Sequence, residues 1–199
     1  MVRTPHRRFR FFSAGAPASL LLVALAVMLA ASGAARAEVK FKKTVLDDKF
    51  RSEGSAVGDF NHDGKLDVSA GSVYYAAPDW HMVSVLEKPT EFDPHGYSKS
   101  FCNFAEDINR DGRIDLIVVG FPGEGTHWFE QPEKEGEVWK PHLIAPVTNN
   151  ESPMWVEIDG DGAGELLFGW DPGGYVGYAR RPGDLAQPWE LKAVSNPGA

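Results

Sequence analysis

The sequence predicts an all-β chain, built as an array of similar antiparallel units. Three observations lead to that reading. An Asp- and Gly-rich stretch recurs three times, at starts 48 and then 50 residues apart, and a period of that length marks a repeat architecture. Each copy is flanked by short apolar runs of strand type, such as Leu116-Ile117-Val118-Val119-Gly120. No segment reads as a long amphipathic helix, and 12% aromatic residues with 21 Gly and 14 Pro suit short strands and turns.

The first copy runs Asp59-Phe60-Asn61-His62-Asp63-Gly64-Lys65-Leu66-Asp67, and the second runs Asp107-Ile108-Asn109-Arg110-Asp111-Gly112-Arg113-Ile114-Asp115. The third is altered: Glu157-Ile158-Asp159-Gly160-Asp161-Gly162-Ala163-Gly164-Glu165. Oxygen-bearing side chains stand at positions 1, 3, 5 and 9 of each copy, and glycine at position 6 permits a sharp turn. A calcium ion takes six to eight oxygens, and a tight loop can supply them from positions 1, 3, 5 and 9 with the carbonyl of position 7. Those carbonyls belong to Lys65, Arg113 and Ala163. No His or Cys falls on a ligand position, which argues against zinc. A helix–loop–helix calcium site wants Glu at position 12, and Ala70, Val118 and Phe168 stand there instead. Each loop is therefore expected to join two adjacent antiparallel strands. Plain Asp-Gly hairpin turns explain the same residues without a metal, and that alternative stays open.

With its strand flanks and its period near 50 residues, the D-x-[DN]-x-D-G-x-x-D pattern resembles the FG-GAP/VCBS repeats, the blades of integrin-α-like β-propellers. The resemblance covers nearly all of residues 38–199. It implies β-propeller-type blades, about three with the start of a fourth, in a partial or fragmentary propeller. It also implies Ca²⁺ held by Asp59, Asn61, Asp63 and Asp67, and by Asp107, Asn109, Asp111 and Asp115. The third loop departs from the pattern with Glu157 and Glu165 at its ends and Gly164 in an apolar slot, so occupancy by Glu157, Asp159, Asp161 and Glu165 stays open.

Residues 1–37 read as a secretion signal. Arg3, Arg7, Arg8 and Arg10 make a basic start, residues 20–29 an apolar core, and Ala35-Arg36-Ala37 a cleavage site. The apolar run is too short for a membrane span. Arg7-Arg8 leaves twin-arginine export open beside the general route. Without this segment the chain has 15 Lys+Arg against 28 Asp+Glu, a net charge of −13. A balance so acidic, with no basic stripe, excludes nucleic acid as the expected partner. Ten of those acids are the proposed ligands, so bound cations would relieve their mutual repulsion. The one cysteine, Cys102, lies between Phe101 and Phe104 and is expected to be a small packed residue.

Two further markers run in phase with the loops. Trp139 and Trp189 lie 50 residues apart, each before a strand-type run, and Phe41 matches them weakly. On that phasing Trp189 opens a fourth blade. Val85-Leu86-Glu87-Lys88-Pro89 is matched to the strand ends at Pro132 and Pro182, which places extra residues in a loop from Tyr74 to His81. Open blade faces would favour self-association.

Two function classes are weighed. The first is an exported, calcium-stiffened module that binds or scaffolds a protein or glycan, with Trp80, Tyr74, Tyr75, Trp128 and Trp170 as candidate sugar-stacking rings. Trp128, Trp139 and Trp189 are expected to pack between units. The alternative is the propeller part of a carbohydrate-active enzyme such as a polysaccharide lyase, with His81, His95, Tyr97 and His127 as candidate groups. Their spacing forms no constellation, and neither a nucleophile elbow nor a phosphate loop is present. A resemblance of fold alone licenses no activity.

Overall fold

The computed structural model describes residues 39–195, so the expected signal, residues 1–37, lies outside the described part. The chain divides into two compact units, Met1–Thr44 and Val45–Ala199. Residues 39–44 of the first form no strand and are exposed. Phe41 therefore begins no strand and is no counterpart of Trp139.

The second unit is all-β, with no helix among its described residues. Its twelve strands form three antiparallel four-stranded sheets, each a simple meander. The first sheet holds β1 (Ser55–Gly58), β2 (Asp67–Ala70), β3 (Val73–Ala76) and β4 (His81–Ser84). The second holds β5 (Cys102–Glu106), β6 (Asp115–Val119), β7 (Glu124–Glu130) and β8 (Lys140–Thr148). The third holds β9 (Met154–Val156), β10 (Glu165–Trp170), β11 (Tyr175–Arg180) and β12 (Glu190–Ala193). As expected, each acidic loop joins the first two strands of its sheet: Gly58 pairs with Asp67, Glu106 with Asp115, and Val156 with Glu165.

Three expectations need correction. The strand after Trp189 opens no fourth unit, because β12 pairs with β11 and completes the third sheet. The marker at Pro89 follows the fourth strand of its sheet, whereas Pro132 and Pro182 follow the third. Their counterpart is Pro78, just after β3, and the first sheet is shorter rather than longer there. Finally, Tyr74–His81 is no long aromatic loop. It comprises the end of β3, a four-residue turn and the start of β4.

Two apolar cores lie between the sheets. One joins the first and second sheets through Phe60, Tyr74, Val85, Leu116 and Trp139. The other joins the second and third through Ile108, Ile117, Trp128, Leu166, Phe168 and Trp189. The middle sheet is covered on both faces, so successive side chains of β6 must both be buried: Leu116 faces one core and Ile117 the other. This is why β6 is a continuous apolar run, whereas β1 alternates between exposed and buried residues. Trp128, Trp139 and Trp189 are buried in these cores, as expected. Tyr74 and Tyr75 are buried too, which with Trp128 removes three of the candidate sugar-stacking rings. Cys102 is half-buried against the second core, and burial raises its thiol pKa.

Candidate metal centre

Within each loop the nine positions divide into two sets. Position 9 opens the second strand and is fully buried: Asp67, Asp115 and Glu165. Asp67 accepts hydrogen bonds of 2.9 Å from the backbone N–H groups of Phe60 and Ala77. Asp115 repeats this with Ile108 and Gln131, also at 2.9 Å. Each carboxylate thereby ties the start of its loop to the residue following the third strand. Sequence reasoning read these residues as ligands and missed the staple. Burial pushes the Asp115 carboxyl up to about 7, although the two backbone bonds oppose the rise. Asp67 is raised from the same cause, against its bonds from Ala77 and Phe60.

Positions 1, 3 and 5 close the turn. Asp59 accepts from Asp63 N and Gly64 N, and Asn61 Oδ1 from Asp63 N. The second loop repeats the pattern, with Asp107 accepting from Asp111 N and Gly112 N and Asn109 Oδ1 from Asp111 N. Gly64 and Gly112 hold φ of 84° and 88°, where glycine is needed. The side chains at position 7 fold back on position 5: Lys65 Nζ lies 2.7 Å from Asp63, and Arg113 pairs with Asp111. Their carbonyls are the expected ligands; their side chains bring a cation to the loop as well. The first two loops therefore present oxygen-rich donor sets that are turned inward on N–H groups and a tethered cation.

The third loop differs. Position 7 is Ala163, so no basic side chain folds in from there. Glu157, Asp159 and Glu165 each bring one carboxylate oxygen within 4.8 Å of the others. Among the described residues it is the one such group of three acidic, His or Cys side chains. Glu165 Oε2 accepts from Ile158 N at 2.8 Å, in the manner of Asp67 and Asp115. Its Oε1 is buried and has no hydrogen-bond partner. Burial raises this carboxyl's pKa, against the bond from Ile158, and Asp159, Asp161 and Glu157 add to the rise. Glu157 accepts from Gly160 N, and Asp161 Oδ1 from Ala163 N at 2.9 Å. Arg180 Nε forms an ion pair with Asp159 Oδ2 at 2.7 Å, so a basic side chain reaches this loop from β11. A buried Glu165 oxygen without a partner, in a cluster of oxygen donors alone, is the chemistry of a hard-cation site. The loop whose occupancy the sequence left open is thus the one in which three carboxylates converge on a position that could hold a metal ion.

Gly164 has a physical reason for leaving the apolar pattern. Position 8 of each later loop packs on the sheet before it. At the second loop, a Cβ added to Gly58 would come within 2.9 Å of Ile114 Cγ2, so glycine makes room for isoleucine. At the third loop the sizes are exchanged. Glu106, the counterpart of Gly58, reaches across to accept from Gly164 N at 3.1 Å and from Trp155 Nε1. Glu106 Oε2 and Trp155 Nε1 occupy the place where a Cβ of residue 164 would stand.

The candidate enzymatic groups do not converge. His81 pairs with Asp79 at 2.8 Å, and the Tyr97 ring packs at a tilt against Phe101 and Phe121. His127 lies on β7, where burial lowers its pKa. His95 sits in the exposed turn at Asp93, and among the described residues no hydrogen bond, ion pair or ring contact links any two of the four. No helix among the described residues is long and apolar enough to cross a membrane. The chain matches no family model, no curated protein and no solved structure.

Proposed function

We propose that the chain is an exported calcium-binding module of β-propeller type, whose ion-stiffened loops present a surface to a protein or glycan ligand. The observation that carries this is the third loop: Glu157, Asp159 and Glu165 converge, with a buried Glu165 oxygen left without a partner. The first two loops repeat the same oxygen positions, with Lys65 and Arg113 as competing cations where the third has Arg180 at Asp159. The propeller arrangement is supported by three like meanders and by the close approach of first strands, since a Cβ at Gly54 would lie 2.7 Å from Cys102 Cα. Export rests on the residue pattern of positions 1–37. Titration calorimetry should give a dissociation constant on the order of 10⁻⁵–10⁻³ M for calcium. Chelation should lower Tm by mass action, and Asp63→Ala, Asp111→Ala and Asp159→Ala should each remove part of that shift. No heat at millimolar calcium, with an unchanged Tm in chelator, would refute the reading. Glycan and protein pull-downs with and without chelator then test what the surface binds.

A further inference from the structure

The three sheets stack with a fixed polarity, visible from equivalent residues. The side chain two places before each loop faces the preceding sheet: Ala105 packs in the first core and Trp155 in the second. So does position 8, as Ile114 packs on Gly58 and Gly164 on Glu106. The residue before the fourth strand does the same at Trp139, buried against Phe60 and Tyr74. Position 2 faces the following sheet instead. Phe60 and Ile108 are buried there, and their carbonyls accept from the side chains of Gln131 and Arg181 of the next sheet.

Among the described residues each role is left unpartnered once, at opposite ends of the stack. On the first sheet the counterparts that should meet a preceding sheet are Val57 (57% exposed), Leu66 (66% exposed) and the half-buried Trp80. On the third sheet the counterparts that should meet a following one are Met154, Val156 and Ile158, at 55%, 36% and 40% exposed. These last three alternate along β9 and its loop, so they share one face. Head and tail thus carry the counterparts of the two faces that meet twice within the chain.

We propose that a second copy of this chain docks head to tail, its Val57–Leu66–Trp80 edge on the Met154–Val156–Ile158 face of the first. The contact brings together the same faces as within one chain, but Leu66 meets Val156 where Gly58 makes room for Ile114 and Gly164 for Glu106, so the copies dock at a wider spacing than the sheets of one chain. At the position of Gln131 and Arg181 the first sheet carries Ala77, so this third repetition rests on apolar burial rather than on a side-chain hydrogen bond. An interface between unlike surfaces yields a ring if it closes and a filament if it does not. Two copies closing on each other enclose six sheets, within the four to eight units that complete such rings. The proposal is independent of calcium.

The test is light scattering behind size exclusion on the full chain, with Leu66→Glu and Ile158→Glu. Wild type should elute at about twice the 21.8 kDa of one chain. Each single variant should run as one chain, its dissociation constant weakened about 100-fold or more, because a carboxylate is forced into an apolar contact. Circular dichroism should be unchanged, as both sites are exposed. An equimolar mixture of the two variants should recover a two-chain species, since one intact head then meets one intact tail. Three results would overturn the proposal: a single-chain mass for wild type up to about 1 mM, an assembly indifferent to both substitutions, or a mixture that stays monomeric. Association through the apolar run at residues 20–29 would show itself as the second of these.

Discussion

The staple at position 9 makes a prediction that separates fold from metal. Asp115→Ala removes the acceptor for two buried N–H groups, those of Ile108 and Gln131. A hydrogen bond to a charged group contributes roughly 1.5–3 kcal/mol, and an orphaned buried donor carries a penalty of similar size. Burial of the carboxylate itself, seen in its rise to about 7, takes back part of that stabilisation. The net loss should be about 2–4 kcal/mol, measured by urea unfolding in excess chelator. Asp115→Asn keeps one acceptor oxygen and should lose about half as much. Asp111→Ala, at the exposed turn, should cost less than half of the Asp115→Ala loss in chelator and should act mainly on the calcium-dependent part. An Asp115→Ala protein within about 1 kcal/mol of wild type under chelation would refute the staple. So would an Asp111→Ala loss of equal size without calcium.

Other consequences are direct. Lys65→Gln and Arg113→Gln remove the cations tethered at Asp63 and Asp111, and calorimetry should find calcium bound several-fold more tightly at those loops; unchanged affinity would show that the basic side chains do not compete. Gly164→Ile drives a side chain into Glu106 and Trp155, at a cost of about 1–3 kcal/mol. Adding Glu106→Gly should restore part of it by recreating the Gly58–Ile114 arrangement, whereas additive losses would show no coupling. Asp47 supplies the pH dependence. Burial alone would raise its pKa, but hydrogen bonds from Tyr75 and Arg51 hold it at about 2. A folded pKa below the unfolded one stabilises above pH 4, and the contribution is lost as pH falls from about 4 to about 2. Asp47→Asn should flatten the acid limb of the stability curve in that window, and an unaltered limb would count against the network.

The hairpin loops were legible because their chemistry is local. Asp, Asn and Gly at fixed offsets specify a turn wherever the chain places it, and apolar runs on both sides specify strands. Three copies in one register then gave the sheets as a set. What failed was the assumption of constant unit length. In the first sheet only Gly71 and Ser72 separate β2 from β3, so Ala77 comes ten residues after Asp67, whereas Gln131 comes sixteen after Asp115. A phase counted from the loops therefore overshot Pro78 and settled on Pro89. The same count tied Trp139 to Phe41 instead of Trp80, which turned the last strand of one sheet into the first of another. Proline and tryptophan are weak markers because many environments accept them. The carboxylate at position 9 was invisible as a staple for a different reason: its partners, Ala77 and Gln131, offer backbone groups that no residue type announces.

The exchange of sizes between Gly58–Ile114 and Glu106–Gly164 shows where the third loop acquired its character. Bringing Glu106 across the sheet boundary required glycine at 164, and the hydrogen bond to Gly164 N tethers this loop to the middle sheet by a polar link that the second loop lacks. Arg181, whose guanidinium bonds Ile108 O and lies 4.0 Å from Glu106, adds a second link in the same place. An ion drawn in by Glu157, Asp159 and Glu165 would therefore order a loop already fastened to its neighbour. The free energy of binding at that loop would act on sheet-to-sheet packing as well as on the turn. At the first loop Leu66 is exposed, so an ion there would order a turn that its own chain does not fasten through that position.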